Sequence, residues 1–242
     1  MDHSSPLRER YNGQSPLRRR VATASSIDLV RVVMPELLDE LPQNSPDAQA
    51  SRRDLRNLNR LLGSTGWFKK ILREKHQPGE LVLEIGAGTG ELGRALNTVV
   101  PVLAGLDLCR RPADWPNLAP WYENDVLRFT HWADYPIVIG NLFFHHFGNT
   151  GLSELGANLN EYARVIIASE PLRVRRTERL FSLVCPLIRA NAVTRYDGRV
   201  SIAAGFRHDE LPHLLRLDPL IWGWCVQENW LGSCRMVAVR RA

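Results

Sequence analysis

Leu81-Val82-Leu83-Glu84-Ile85-Gly86-Ala87-Gly88-Thr89-Gly90-Glu91 decides how the rest of the chain is read. Residues 81 to 85, apolar apart from Glu84, have the length and character of a buried strand. The three glycines after them let the backbone turn sharply and come close to a ligand. Glu91 to Asn97 reads as the next helix, whose first N–H groups lack partners within the helix and face the loop. A glycine loop alone is weak evidence. This one lies between a strand and a helix, and acidic residues stand at the ends of the next two predicted strands.

Downstream, strand and helix patterns alternate. Val102 to Leu108 reads as the second strand, Trp121 to Val126 as the third and Pro136 to Asn141 as the fourth. The helix Leu152 to Tyr162 and the strand Arg164 to Ser169 follow. Repeated strand–helix units make an α/β fold with a mostly parallel sheet covered by helices on both faces, with ligands at the carboxyl ends of the strands. An apolar helix is expected around Leu180 to Ile188, the stretch Arg195-Tyr196-Asp197-Gly198-Arg199 in a connection, and an amphipathic helix over Phe206 to Leu217. Ile221 to Trp230 and Ser233 to Arg240, separated by Leu231-Gly232, read as a C-terminal antiparallel hairpin. Upstream, Ile27 to Leu41 is amphipathic but interrupted by Pro35. A second helix has Pro46 at its first position, Leu55, Leu58, Leu61 and Leu62 on one stripe and Gly63 as its stop. A third fits Trp67 to Glu74. The expected organisation is a flexible tail over residues 1–25, a helical cap over 26–78 and a main domain over 79–242, with 171–206 an insertion shaping a substrate pocket.

The acidic residues narrow the ligand. A dinucleotide site would place its third glycine at the position of Glu91. Glu84 is awkward beside a pyrophosphate but suits a ligand carrying an ammonium and a sulfonium. Asp107, 23 residues beyond Glu84 at the tip of the second strand, can accept from both hydroxyls of a ribose. Asp125-Val126 can read an adenine edge with a carboxylate and a backbone N–H. Together with Asn141, these residues resemble the cofactor motifs of the class I S-adenosylmethionine-dependent methyltransferases, over roughly residues 80 to 242. The resemblance implies the Rossmann-like, seven-stranded sheet of that family and S-adenosyl-L-methionine as cofactor. It also implies that Glu84, Gly86, Ala87, Gly88 and Gly90 hold the methionine moiety, Asp107 the ribose, Asp125 and Val126 the adenine, with Asn141 at the fourth strand's end.

Leu142-Phe143-Phe144-His145-His146-Phe147 follows the fourth strand and resembles bacterial small-molecule methyltransferases with Leu-Phe-x-His-His-Phe at that place. Methyl transfer is an in-line displacement, so the protein mainly aligns the reactants and excludes water. A phenol or enol acceptor also gains from a base, a role that suits histidine near neutrality. His145 and His146 are therefore the catalytic candidates, one facing the site and the other structural. Phe144, Arg195 and Tyr196 are the substrate-contact candidates, and the family resemblance puts Ser169-Glu170-Pro171 at the pocket rim.

Composition limits the partners. The 242 residues are 44% hydrophobic and 24% charged, enough for one sizeable core. No apolar run approaches the roughly 20 residues of a membrane-spanning helix. Five arginines against Asp2 and Glu9 give the first 25 residues +3 of the net +5, so the rest is close to neutral and a nucleic-acid partner is disfavoured. No secretory apolar core follows the basic start. Cys109, Cys185, Cys225 and Cys234 lie too far apart for a zinc or disulfide pattern, which makes a reducing, cytoplasmic setting and no metal the expectation. The expected function is methyl transfer to a small, hydrophobic or aromatic metabolite, on oxygen or carbon. Two alternatives compete. Gly140-Asn141-Leu142-Phe143-Phe144 resembles the Asn-Leu-Pro-Tyr/Phe motif of rRNA adenine dimethylases, without its proline. A non-catalytic binding module with the cofactor fold is the other.

Overall fold

The computed structural model describes residues 30–241, so the tail expected over residues 1–25 and the first few residues of the cap lie outside the described residues. The cap consists of α1 (Leu37–Glu40), α2 (Pro46–Leu62) and α3 (Ser64–Lys75). The main unit runs β1 (Val82–Ile85), α4 (Glu91–Leu96), β2 (Leu103–Asp107), β3 (Trp121–Glu123), β4 (Ile137–Asn141), α5 (Asn149–Tyr162) and β5 (Val165–Pro171). It continues through α6 (Arg175–Leu187), α7 (Ala192–Ala204), α8 (Glu210–Leu214), β6 (Trp222–Glu228) and β7 (Ser233–Arg240). Among the described residues no helix is long and apolar enough to cross a membrane.

The seven strands lie in the order β3-β2-β1-β4-β5-β7-β6. β1 to β5 are parallel, and β7 runs antiparallel between β5 and β6. Alternate residues divide the sheet between two cores. Leu83, Ile85, Val138 and Ile166 pack with Leu152, Leu155 and Leu159 of α5 on one face. Val82, Ile137, Ile139, Val165 and Ile167 meet Phe68 and Leu72 of α3 and Leu96 of α4 on the other. Burial on both faces explains why β1, β4 and β5 read as nearly continuous apolar runs.

Several elements differ from expectation for local reasons. Residues 30–36 form no regular element and only Leu37–Glu40 are helical, because Pro35 holds its predecessor out of the helical region. The Asp197 carboxylate then accepts from the N–H groups of Leu37 (2.7 Å) and Leu38 (3.0 Å). In α2 the fully buried positions are Ala48, Ser51 and Asp54 rather than the leucine stripe, and Leu61 is 56% exposed. This helix packs against α7, where Asp54 accepts from the Asn191 N–H and the Thr194 hydroxyl. Residues 195–199, expected in a connection, belong to α7. Asn191 caps that helix by accepting from the Thr194 N–H at 2.8 Å. Gly198 allows close packing, since a Cβ there would stand 2.0 Å from the Phe181 ring. The helix expected over 206–217 shrinks to α8, and Phe206 forms a bridge with Leu172. The third strand stops at Glu123.

Pro46 occupies the first turn of α2, as expected, and Ser45 caps the helix by accepting from the Ala48 N–H at 3.2 Å. Removing the cap with Ser45→Ala is expected to cost about 1 kcal/mol, read as a lower midpoint in urea unfolding with unchanged slope.

Candidate active site

Strand order reverses between β1 and β4, so the crevice of this sheet lies at their carboxyl ends. The glycine loop lines it. Gly86, Gly88 and Gly90 have φ of 67°, 54° and 72°, a region that side-chain-bearing residues avoid. The Gly86 and Ala87 N–H groups donate to the Leu106 carbonyl and so tie the loop to β2. Phe143 covers Gly86 and Trp115 covers Gly90, whereas a Cβ at Gly88 would meet no atom within 4 Å. The loop is thus open to a ligand at Gly88.

Asp107 stands beside that opening. One carboxylate oxygen accepts from the Gly88 N–H at 2.7 Å and the other from the Cys109 N–H at 2.8 Å. Each oxygen keeps a lone pair for a further donor, and the two backbone contacts fix the group's orientation. Asp125 lies just past β3, where it accepts from the Leu127 N–H at 3.0 Å and caps the 3-10 turn Val126–Arg128. Val126, the first residue of this turn, is almost fully buried. Asn141, at the tip of β4, donates to Asn59 of α2 at 3.3 Å, and its Oδ1 is buried without a hydrogen-bond partner. Such an orphaned acceptor is what a bound ligand's donor would satisfy. The residues present therefore fit an adenosyl cofactor.

Glu84 behaves differently from expectation. Its register puts it opposite Gly105 and Ile139 on the face that α4 covers, and it is only 3% exposed. The carboxyl lies under Gly93 and Trp115, and Oε2 has no hydrogen-bond partner among the described residues. Loss of hydration, with the nearby Asp107 charge adding to it, pushes this carboxyl up to about 8. It supports the loop and the first turn of α4 from beneath and does not line the crevice.

Helix α2 roofs the crevice. Arg56 pairs with Glu91 at the start of α4 (3.1 Å), and Asn59 meets Asn141. Arg56 and Asn59, three positions apart, share one helix face. Neither carries a sequence signal for this role, because their partners lie 35 and 82 residues away.

Beyond β4 the chain makes a 3-10 turn over Phe144–His146. Glu170, wholly buried on β5, accepts from the N–H groups of Phe143 (2.9 Å), Phe144 (3.1 Å) and His145 (3.3 Å), and faces His145 Nδ1 at 2.7 Å. His145, 3% exposed, also faces Glu36 of the cap through Nε2 at 3.3 Å. These two carboxylates outweigh the desolvation of the ring and raise His145 to about 9. Held on both nitrogens, His145 positions the turn and has no nitrogen free to take an acceptor's proton. His146 is the accessible one, with a side chain 30% exposed and Nδ1 3.4 Å from Asp39.

The substrate-contact expectations change as well. Phe144 is wholly buried, packed on Gly140 and Ile85, so it belongs to the core. Phe143, its neighbour, is the ring that reaches the glycine loop. Arg195 lines a groove between α6 and α7 with Phe181, Cys185 and Arg199, while Thr194, Asp197 and Ser201 form the α7 face turned to the cap. Tyr196, 39% exposed, flanks Arg195 on the same helix.

No protein-family model and no curated protein sequence matches the chain. Solved structures do. The plantazolicin methyltransferase BpumL in complex with SAH matches with TM-score 0.63 and 14% identity, over 82% of this chain and 92% of that one. The pyocyanin biosynthetic protein PhzM matches with TM-score 0.54 and 18% identity, over 82% of this chain and 60% of that one. Magnesium protoporphyrin IX methyltransferase (ChlM) from Synechocystis PCC 6803 with bound SAH matches with TM-score 0.51 and 16% identity, over 84% and 91%. At these identities the likeness is one of architecture: the chain has the Rossmann-like, seven-stranded fold of these methyltransferase structures, including the antiparallel β7 inserted between β5 and β6.

Proposed function

We propose that this chain is an S-adenosylmethionine-dependent methyltransferase whose acceptor is a small, hydrophobic or aromatic molecule. The observation that carries the reading is the glycine loop, open at Gly88 beside an Asp107 carboxylate held by two backbone N–H groups at the sheet's switch point. Structures of like fold support it, having been solved with SAH or SAM, and two carry names that refer to plantazolicin and magnesium protoporphyrin IX. S-adenosylmethionine supplies an electrophilic methyl group. The chain's own residues bind and orient. Asp107 takes the ribose hydroxyls, Asp125 and the Val126 N–H the adenine edge, and Asn141 Oδ1 accepts from the ammonium at the amino-acid end. Helix α2 closes over the crevice and excludes water, which strengthens the polar contacts inside it. In the metal-free protein the proton-acceptor role falls to His146.

Calorimetry with S-adenosylhomocysteine, followed by incubation with methyl-labelled S-adenosylmethionine and a cell extract, tests this. One equivalent of bound ligand and label in the organic-soluble fraction are expected. Absence of binding at millimolar ligand overturns the cofactor assignment, and label confined to RNA or protein overturns the acceptor class.

A further inference from the structure

We propose that Glu36, His145 and His146 bind a divalent transition-metal ion, with Zn2+ the best chemical match. The candidate ligand atoms of the three side chains all lie within 4.8 Å of one another. His145 Nε2 and Glu36 Oε1 are 3.3 Å apart. That is longer than a charge-assisted N–H···O contact of about 2.7–2.9 Å. It is close to the edge of about 3.4 Å separating ligand atoms placed tetrahedrally at about 2.1 Å from an ion.

The protonation pattern of His145 leads to the same place. Glu170 receives three backbone N–H groups and can only accept, so His145 must present Nδ1–H to it. A neutral His145 then aims the lone pair of Nε2 at the Glu36 carboxylate, and two acceptors that face each other need a cation between them. A divalent ion meets that need and engages His146 too, whose ring centroid is 4.4 Å from that of His145.

The surroundings are those of a supported metal site. A carboxylate on the far ring nitrogen, here Glu170, fixes the tautomer and orientation of a ligating imidazole. The Ser201 hydroxyl donates to Glu36 and Asp39 stands 3.4 Å from His146. Three carboxylates, Glu36, Glu170 and Asp39, surround the two imidazoles, with Arg31 on the His145 and Phe147 carbonyls offsetting part of their charge. Two imidazoles and a carboxylate suit Zn2+ better than Mg2+ or Ca2+, which prefer all-oxygen shells, and three protein ligands leave a fourth position open. The reading of the cysteines predicted no metal; Glu36, 109 residues from His145, has no local spacing that could announce it.

This inference does not depend on the methyl-transfer reading, and its test is made without cofactor. The full chain, stripped with chelator, is dialysed against Zn2+ or Co2+ at pH 8 and its metal content measured. Co2+ also reports ligand geometry through its visible spectrum. The wild type is expected to retain one equivalent with a tetrahedral Co2+ spectrum. His146→Ala, at a partly exposed position and checked for folding by its melting temperature, is expected to lose affinity by more than about 100-fold. Asp39→Asn is expected to weaken binding about tenfold, the low end for an outer contact. Failure of the wild type to retain either ion overturns the proposal, as does equal retention by His146→Ala.

Discussion

Asp107→Ala is expected to weaken S-adenosylhomocysteine binding by about 10- to 150-fold, because hydrogen bonds to a charged group contribute about 1.5–3 kcal/mol. The side chain is well placed to have that effect. Both of its oxygens are anchored by backbone N–H groups, so little conformational freedom remains to be lost when a ribose arrives. Removing it also frees the Gly88 N–H at the one point where the loop is open. Asp107→Asn separates these contributions: its amide oxygen can still accept from Gly88, and its uncharged acceptor is expected to recover part of the affinity. Calorimetry at constant salt reads both variants, with melting temperatures confirming that each is folded. Unchanged affinity in Asp107→Ala would remove the ribose assignment.

The parts of this molecule written in short-range patterns were legible, and those assembled from distant segments were not. The glycine loop, the start of α2 at Pro46, the αL glycine that ends it at Gly63 and the terminal hairpin each depend on a few neighbouring residues. Local chemistry therefore announces them. The buried parallel strands announce themselves through nearly continuous apolar runs. The cluster beyond β4 is different. Its histidines were visible, but their partners arrive from the cap (Glu36), from β5 (Glu170) and from α7 (Ser201). Only the folded chain shows that His145 is held and His146 is open. Phe143 and Phe144 illustrate the same limit on a smaller scale. Adjacent residues of one type were separated by the 3-10 turn, which sends one to the core and leaves the other over Gly86.

Glu84→Gln is expected to stabilise the protein at pH 8 and to flatten its pH dependence between about 4.5 and 8. In the folded chain this carboxyl holds its proton up to about 8, against an ordinary value of 4.5. Below 4.5 both folded and unfolded chains are protonated, and stability is full. As pH rises through the window the unfolded chain releases its proton first, so stability declines until the folded chain releases its own near pH 8. A shift of this size corresponds to a loss on the order of 4 kcal/mol, which is a large part of the 5–15 kcal/mol typical of a folded domain. Glutamine preserves the shape under Gly93 and Trp115 and has no proton to lose. Chemical denaturation at pH 5 and pH 8 is expected to show the wild type losing stability and the variant keeping it. Binding of S-adenosylhomocysteine to the same variant then separates two roles. A carboxylate that touched the ligand's ammonium would lose affinity on neutralisation. A carboxyl buried beneath α4 and protonated at neutral pH has no charge to contribute, so Glu84→Gln is expected to bind as tightly as the wild type at pH 7.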